Sequence, residues 1–217
     1  MNKRVVLLVS IVFCIGLLNA SAQKIKGALM LGTNLSQVDG DEVYGFNKFG
    51  WNVGAAAIVP LNNNFSISIE NNFNQKGAYQ KSKYSDSVLY NLKLNYVEVP
   101  VMIHYNDRDI ITVGTGFAWA RLLDAKEEEH EGTHAPYTDQ VKFNKDDILW
   151  KVDLRFRLIK KLKMNFQYSY SLKKIRERVF TPLEGNEFKR KQYNNLMTFR
   201  LIYVINESPS LKKSKKK

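Results

Sequence analysis

The feature that most constrains this chain is a strict two-residue alternation between residues 94 and 105, LNYVEVPVMIHY. The odd positions from Val97 to Tyr105 are all apolar or aromatic, which is typical of one face of a β-strand. The even positions include Glu98, Pro100 and His104, and a dry protein core would not accommodate them. The pattern makes physical sense if the apolar face contacts lipid and the other face lines a narrow polar interior.

The amino terminus carries the features of an export signal. Basic residues at positions 3 and 4 precede an apolar run, Val5 to Leu18, and small residues follow up to Ala22. This arrangement predicts a secretory signal peptide, residues 1–22, cleaved after Ala22. The single cysteine, Cys14, lies within it, so the mature chain is expected to form no disulfide and to have no thiolate nucleophile. No second long apolar run follows, so we expect no transmembrane helix in the mature chain.

Alternation of the same kind recurs along the mature chain and predicts eight strands. Short connections at 60–64, 106–109 and 159–162 separate longer ones at 36–47, 77–91, 124–146 and 173–191. Outer-membrane barrels have an even number of strands, short periplasmic turns and longer outer loops. An exported chain without spanning helices crosses a membrane only as a closed barrel. The sequence therefore predicts an all-β fold, an eight-stranded antiparallel up-and-down transmembrane β-barrel over residues 23–205, followed by a basic periplasmic tail, 206–217.

Aromatic residues near the strand ends support this prediction. The predicted aromatic girdle comprises Trp51, Trp119 and Trp150 on the loop side and Tyr105 and Tyr203 on the turn side. A soluble periplasmic lipocalin-like ligand-binding barrel would show similar alternation, but its apolar faces would point inward. Because alternation in one sequence does not state which face lies inside, this alternative stays open.

Three segments carry a family resemblance. GTNLSQVDGD begins at Gly32, KFGWNVG follows it, and LNYVEVPVMIHY contains the most specific residues, Tyr96, Glu98 and Pro100. Together with a leader ending in Ala-Gln, these segments resemble the PorT-like outer-membrane β-barrel family over essentially the whole mature chain. The resemblance implies an eight-stranded barrel in the outer membrane of a Gram-negative cell. The family's namesake acts in protein secretion by the type IX system, but most members have no established activity, so the resemblance implies little about function.

Charged residues on the polar strand faces are the main candidate site residues. The interior of an eight-stranded barrel is just wide enough for side chains to fill it. Buried charges require paired, hydrogen-bonded partners, so we predict a lumen network that acts as a plug. Its predicted members are Glu70, Glu98, Lys151, Asp153, Arg155, Arg157 and Arg200. Such a plug favours a structural role for these charges over an ion path, and it makes a wide diffusion pore improbable.

Charged segments outside the strands are candidate contact surfaces. His130 and His134, with neighbouring glutamates, form a weak candidate for a divalent cation site, although acidic runs in exposed loops are usually only solvated. The basic connection 173–191 lies where lipopolysaccharide phosphates are expected. The lysine-rich end, 212–217, contributes to the net charge of +12 and is a candidate contact for peptidoglycan or an envelope protein. No nucleic-acid motif accompanies the charge, so no nucleic-acid partner is expected.

Sequence motifs provide little support for an enzyme. Ser171 and Lys174 match Ser-x-x-Lys, but the other elements of such a site are absent and the motif requires a helix. We therefore expect a non-catalytic barrel without cofactors that has a structural or interaction role through its loops or tail, with an accessory role in protein secretion as a narrower form. A lipid A-modifying enzyme and a small-solute conduit remain alternatives.

Overall fold

The computed structural model describes residues 25–41, 43–82, 88–108, 110–129, 142–180 and 188–205. The predicted signal peptide, the weak metal candidates His130 and His134, and the predicted tail 206–217 lie outside these described residues. Over the described ranges, no helix is sufficiently long and apolar to span a membrane.

The described chain is built from antiparallel β-strands. They are β1 (Lys26–Asp39), β2 (Lys48–Pro60), β3 (Phe65–Lys81), β4 (Val88–Asp107), β5 (Ile111–Glu129), β6 (Asp146–Ile159), β7 (Leu162–Ser171), β8 (Arg176–Phe180) and β9 (Phe188–Val204). Neighbours follow the order β1-β2-β3-β4-β5-β6-β7-β9-β8, and β1 also pairs with β9. The strands therefore form an antiparallel ring, and the predicted all-β barrel class is confirmed.

The short strand β8 continues β7 and does not add a position to the ring. Both strands pair with β9, since Tyr170 of β7 lies opposite Asn195 and Arg176 of β8 lies opposite Gln192. Residues 171–175 lie opposite only residues 193 and 194 of β9, so this strand carries an irregular insertion in its outer part. The ring thus has the eight positions that the sequence predicts.

The two faces of the strands have opposite character. On the outside, Leu31, Val101, Phe117 and Leu201 expose 47 to 59% of their surfaces. Polar residues on the alternate positions, such as Glu98, are buried. Apolar side chains outside and polar side chains inside are the reverse of a lipocalin, so the soluble alternative does not fit the fold.

Several strands extend beyond their predicted ends. A tilted strand needs about 9–11 residues to cross a membrane, whereas β3, β4 and β5 contain 17, 20 and 19 residues. The predicted loops are correspondingly shorter, because the strands include residues 36–39, 77–81, 88–91, 124–129, 176–180 and 188–191. These segments have a polar composition because they lie beyond the lipid-facing part of the barrel, where the outward face contacts water.

Two apolar clusters flank the charged part of the interior. Near the turn end, Met30 and Ile202 pack with neighbouring small and aliphatic residues. Towards the long connections, a larger cluster contains Leu92, Leu94 and Leu149. On β9, Arg200 lies between the two clusters, so the charges form a middle layer of the interior.

Candidate functional site

The structure brings most of the predicted lumen residues together in this middle layer. Glu70, Glu98, Lys151, Asp153, Arg155 and Arg200 are each at most 4% exposed. Arg157 instead lies half-buried near the turn after β6, where its guanidinium donates to the carbonyl oxygen of Lys160 at 2.6 Å.

The part of the network nearer the turns is centred on Glu70. Its two carboxylate oxygens accept hydrogen bonds from Arg155 Nη2 and Arg200 Nη2, each at 3.0 Å. Arg155 also contacts Asp153 through Nε at 2.8 Å and Nη2 at 2.6 Å. Two guanidinium groups are thus matched by two carboxylates, and the contacts connect β3, β6 and β9 across the interior.

A second group lies nearer the long connections and is centred on Glu98. Its carboxylate oxygens accept from Lys76 Nζ at 2.8 Å and from Lys151 Nζ at 2.7 Å. Asp147 Oδ2 lies 3.9 Å from Lys76 Nζ and accepts a hydrogen bond from Ser171 Oγ at 2.7 Å. Two lysines are again matched by two carboxylates, so each group is close to electrically neutral.

Three interior members were not predicted as site residues: Lys76, Asp147 and His104. Lys76 directly precedes the predicted connection 77–91, and Asp147 directly follows the predicted connection 124–146. Neither residue is therefore among the predicted inward-facing charges. Continuing the alternation of Asn72 and Asn74 by one step would have placed Lys76 inside. His104 lies on the inner face of its strand, with Nε2 3.5 Å from Asp153 Oδ1.

The interior depends on a glycine for space beside His104. A Cβ atom on Gly114 would overlap the imidazole of His104 and the carboxylate of Asp153. The small residues on the inner face of β5 therefore make room for the larger side chains of neighbouring strands.

The residues of the predicted girdle all point outward. Trp51, Trp119, Trp150, Tyr105 and Tyr203 expose 41 to 53% of their surfaces. Trp150 Nε1 donates to the hydroxyl of Thr115 at 3.1 Å. Arg121 lies two residues after Trp119 on the same face, nearer the long connections. It forms an exposed ion pair with Asp146 at 2.9 Å. Aromatic side chains followed by water-exposed charges are typical of a membrane interface.

A further polar group, the outer cluster, comprises Asp41, Tyr90, Glu127, Arg176 and Gln192. The Arg176 guanidinium donates to both carboxylate oxygens of Glu127 at 2.6 Å, and its Nε donates to Gln192 Oε1 at 2.5 Å. The Tyr90 hydroxyl donates to Glu127 Oε1 at 2.7 Å. These contacts connect β4, β5, β8 and β9 beyond the girdle.

The two carboxylates of the outer cluster have different electrostatic surroundings. Burial alone would raise the pKa of Glu127, but the hydrogen bonds and charge of Arg176 hold it below its ordinary value. Burial raises the pKa of Asp41 to about 7, although the Val43 amide and Arg176 oppose the shift. Glu127 is therefore held in an ion pair with Arg176. No set of residues suited to a metal ion occurs in the part of the chain that the structure describes.

The strands form an antiparallel ring with an apolar exterior, and outward aromatic residues lie near both of its ends. The charges in its interior neutralise each other. These features define a transmembrane β-barrel. Residues 21–177 match the family described as "Outer membrane protein beta-barrel domain", and the chain belongs to this family. The protein is therefore located in the outer membrane, as its sequence predicts. A comparison with curated protein sequences finds no match.

Several solved outer-membrane proteins have similar structures. Ail, the attachment invasion locus protein of Yersinia pestis, is 14% identical with a TM-score of 0.46, and the match covers 83% of this chain and 99% of Ail. Neisserial surface protein A is 9% identical with a TM-score of 0.49, covering 82% and 96%. A major outer membrane protein of Thermus thermophilus is 11% identical with a TM-score of 0.44, covering 84% and 100%. At these TM-scores the similarities carry no functional argument, and family membership rests on the sequence match.

Proposed function

We propose that this protein is a non-conducting, non-catalytic barrel that presents a preformed extracellular surface to a macromolecular partner. The surface, here called the platform, consists of the outer parts of β3, β4 and β5 together with β8 and the outer part of β9. The observation that carries the proposal is that the platform has its own core. Tyr90, Leu92 and Ile175 in it are at most 1% exposed, although they lie beyond the aromatic residues that mark the membrane interface.

Membrane anchoring alone does not require such an extension. About 9–11 residues of each strand are enough to cross the bilayer, and β4 contains 20. The outer cluster further joins β5 to β8 through the pair between Glu127 and Arg176. A surface that is ordered before binding loses less conformational entropy when a partner docks, which favours affinity. The platform is therefore suited to recognition.

The interior supports the non-conducting part of the proposal. The two charged groups are paired side chain to side chain, and apolar clusters flank them on both sides. An ion entering this layer would have to replace those contacts and lose its own hydration.

The non-catalytic part is supported by the surroundings of the Ser-x-x-Lys match. Ser171 Oγ donates to Asp147 and accepts from the Asn194 amide at 3.0 Å. Lys174 Nζ instead contacts Glu177 at 2.7 Å. The serine and the lysine therefore have separate partners. An accessory role in protein secretion, which the PorT-like resemblance implies, is a narrower form of the proposal in which the partner belongs to a secretion system.

Site-specific photo-crosslinking in living cells tests the platform. A photoreactive residue at Leu123, which is exposed on outer β5, is expected to capture a protein partner. The same residue at Leu31, which is equally exposed in the lipid-facing part of β1, is the matched control and is expected to capture none. The proposal is contradicted if no protein adduct forms at Leu123 or at other outward platform positions. It is also contradicted if Leu123 and Leu31 capture the same protein.

Three further measurements separate the alternatives. Single-channel recording in planar bilayers is expected to show no conductance steps, and steps would support a conduit. An unchanged lipid A mass on deletion of the gene is expected, and a changed mass would support an enzyme. Loss of secreted proteins on deletion, together with a secretion component as the crosslinked partner, would support the narrower secretion role.

A further inference from the structure

The lipid-facing wall contains a groove of about 470 Å³ that the proposed function does not use. Its outward-facing lining is Val152, Leu154, Phe166, Tyr168, Met197 and Phe199, from β6, β7 and β9. Phe166 packs edge-to-face on Phe199 with ring centres 5.2 Å apart, which defines one wall. The volume falls within the range of about 300–1,000 Å³ that is typical of small-ligand pockets. An apolar groove open to the bilayer suits a hydrocarbon chain.

A band of tyrosines borders the groove on the side of the long connections. Tyr168 lines the groove, and Tyr170 follows it on the same face of β7. The Tyr170 ring stacks on Tyr193 of β9 with 6.2 Å between centres and an angle of 15° between planes. Tyrosine side chains prefer the boundary between hydrocarbon and headgroups, so the band marks where the polar part of a lipid begins.

Positive charge follows the tyrosines on the same face. Lys191 and Lys189 continue the outward positions of β9 beyond Tyr193, and both are exposed. Glu177 lies opposite Lys191 and contacts Lys174 at 2.7 Å. Asp39 of β1 lies opposite Tyr193 on the same face. Three lysines therefore accompany two carboxylates, so this face keeps a net positive charge.

The opposite wall has a similar net charge and serves as the reference. Lys93 and Lys126 lie opposite each other on the outward face of β4 and β5. Asp124 and Glu128 flank them at the neighbouring positions of the same face. Lys48 also reaches this wall, since its Nζ donates to Asn91 Oδ1. Three lysines therefore accompany two carboxylates here as well, so the wall above the groove is distinguished by its position over the apolar lining and not by its net charge.

We propose that this wall is a binding site for the lipid A part of lipopolysaccharide, with one acyl chain in the groove and a phosphate between Lys189 and Lys191. The long connections mark the outer side of the membrane, so the groove, the tyrosines and the lysines follow the order of acyl chain, interface and headgroup in the outer leaflet. Lipid A combines several acyl chains with phosphates, and its phosphates are attracted by clustered lysines. Lys189 and Lys191 belong to the outer part of β9 and therefore to the platform, whereas the crosslinking position Leu123 lies on β5. The two experiments probe different residues, so the two proposals fail independently.

Native mass spectrometry of the full-length folded protein tests the site, with bisphosphorylated lipid A as the probe. The wild-type protein in detergent is expected to retain one lipid A molecule. The double variant Lys189→Gln/Lys191→Gln is expected to bind about 10- to 30-fold more weakly, since each lysine near an anionic lipid surface contributes about one kcal/mol. The matched control Lys93→Gln/Lys126→Gln, which removes the same charge from the opposite wall, is expected to stay within about twofold of the wild type.

A groove-filling variant tests the acyl-chain part separately. Val152→Trp places a bulky side chain in the groove without changing charge and is expected to weaken lipid A binding. Migration of unboiled samples on gels verifies that each variant is folded. The proposal is overturned if the two lysine variants lose equal affinity or if Val152→Trp binds lipid A fully. It is also overturned if the wild-type protein binds phosphatidylglycerol with equal affinity or retains no lipid A.

Discussion

The substitution Glu98→Gln tests whether the lumen charges are balanced as the geometry indicates. The Glu98 carboxylate is fully buried and lies 2.8 Å from Lys76 Nζ and 2.7 Å from Lys151 Nζ. In the variant, two buried lysines would face only Asp147, which leaves one positive charge without compensation. Removing one partner of a buried ion pair typically costs about 3–5 kcal/mol, so we expect a loss of that size in the free energy of unfolding.

A second substitution distinguishes charge balance from a general loss of packing. Glu98→Gln/Lys151→Met removes the surplus charge, because Lys76 still lies 3.9 Å from Asp147. We expect this double variant to recover most of the loss, since neutral replacements of buried ion pairs are often tolerated. The exposed pair between Arg121 and Asp146 provides the control, and Arg121→Gln is expected to cost less than about 1 kcal/mol.

Reversible urea unfolding in lipid vesicles measures these differences, with tryptophan fluorescence as the signal. The outward-facing tryptophans report insertion into lipid, and the migration of unboiled samples reports the closed barrel. The reasoning is refuted if Glu98→Gln costs no more than Arg121→Gln, or if the double variant is less stable than the single one. Either result would mean that Glu98 does not compensate both lysines.

Two further variants test the outer cluster and the interior packing. The pKa of Asp41 is raised to about 7 from 3.8, so its contribution to stability is complete below pH 3.8 and is lost as the pH rises to about 7. Asp41→Asn is therefore expected to raise the free energy of unfolding at pH 8 by up to about 4 kcal/mol and to weaken its dependence on pH. Unfolding curves at pH 5 and 8 measure this effect. Destabilisation of the variant at pH 8 would contradict the prediction. Gly114→Ala is expected to cost about 1–3 kcal/mol through overlap with His104 and Asp153. Gly27→Ala, whose Cβ would meet only Ile205 at 3.4 Å, is the control, and equal costs in urea unfolding would argue against the overlap.

The amino-acid sequence by itself determined the class of fold and the two faces of its strands. Successive side chains of a strand point to opposite sides, so the alternation around Glu98 assigned that carboxylate and its apolar neighbours to different surfaces. The same local rule assigned Glu70 and Arg155 to the interior. The alternation of long and short connections then indicated a barrel with its turns on one side.

Only the tertiary structure decided which of those interior charges meet. Glu98 contacts Lys76 on the adjacent strand and Lys151 across the lumen, and these contacts depend on strand register and on closure of the ring. The same holds for the pair between Glu127 and Arg176, because it lies in segments whose polar composition is typical of loops. Alternation is a local property that neighbouring residues specify, whereas register and closure bring together residues distant in sequence, and local periodicity does not encode their partners.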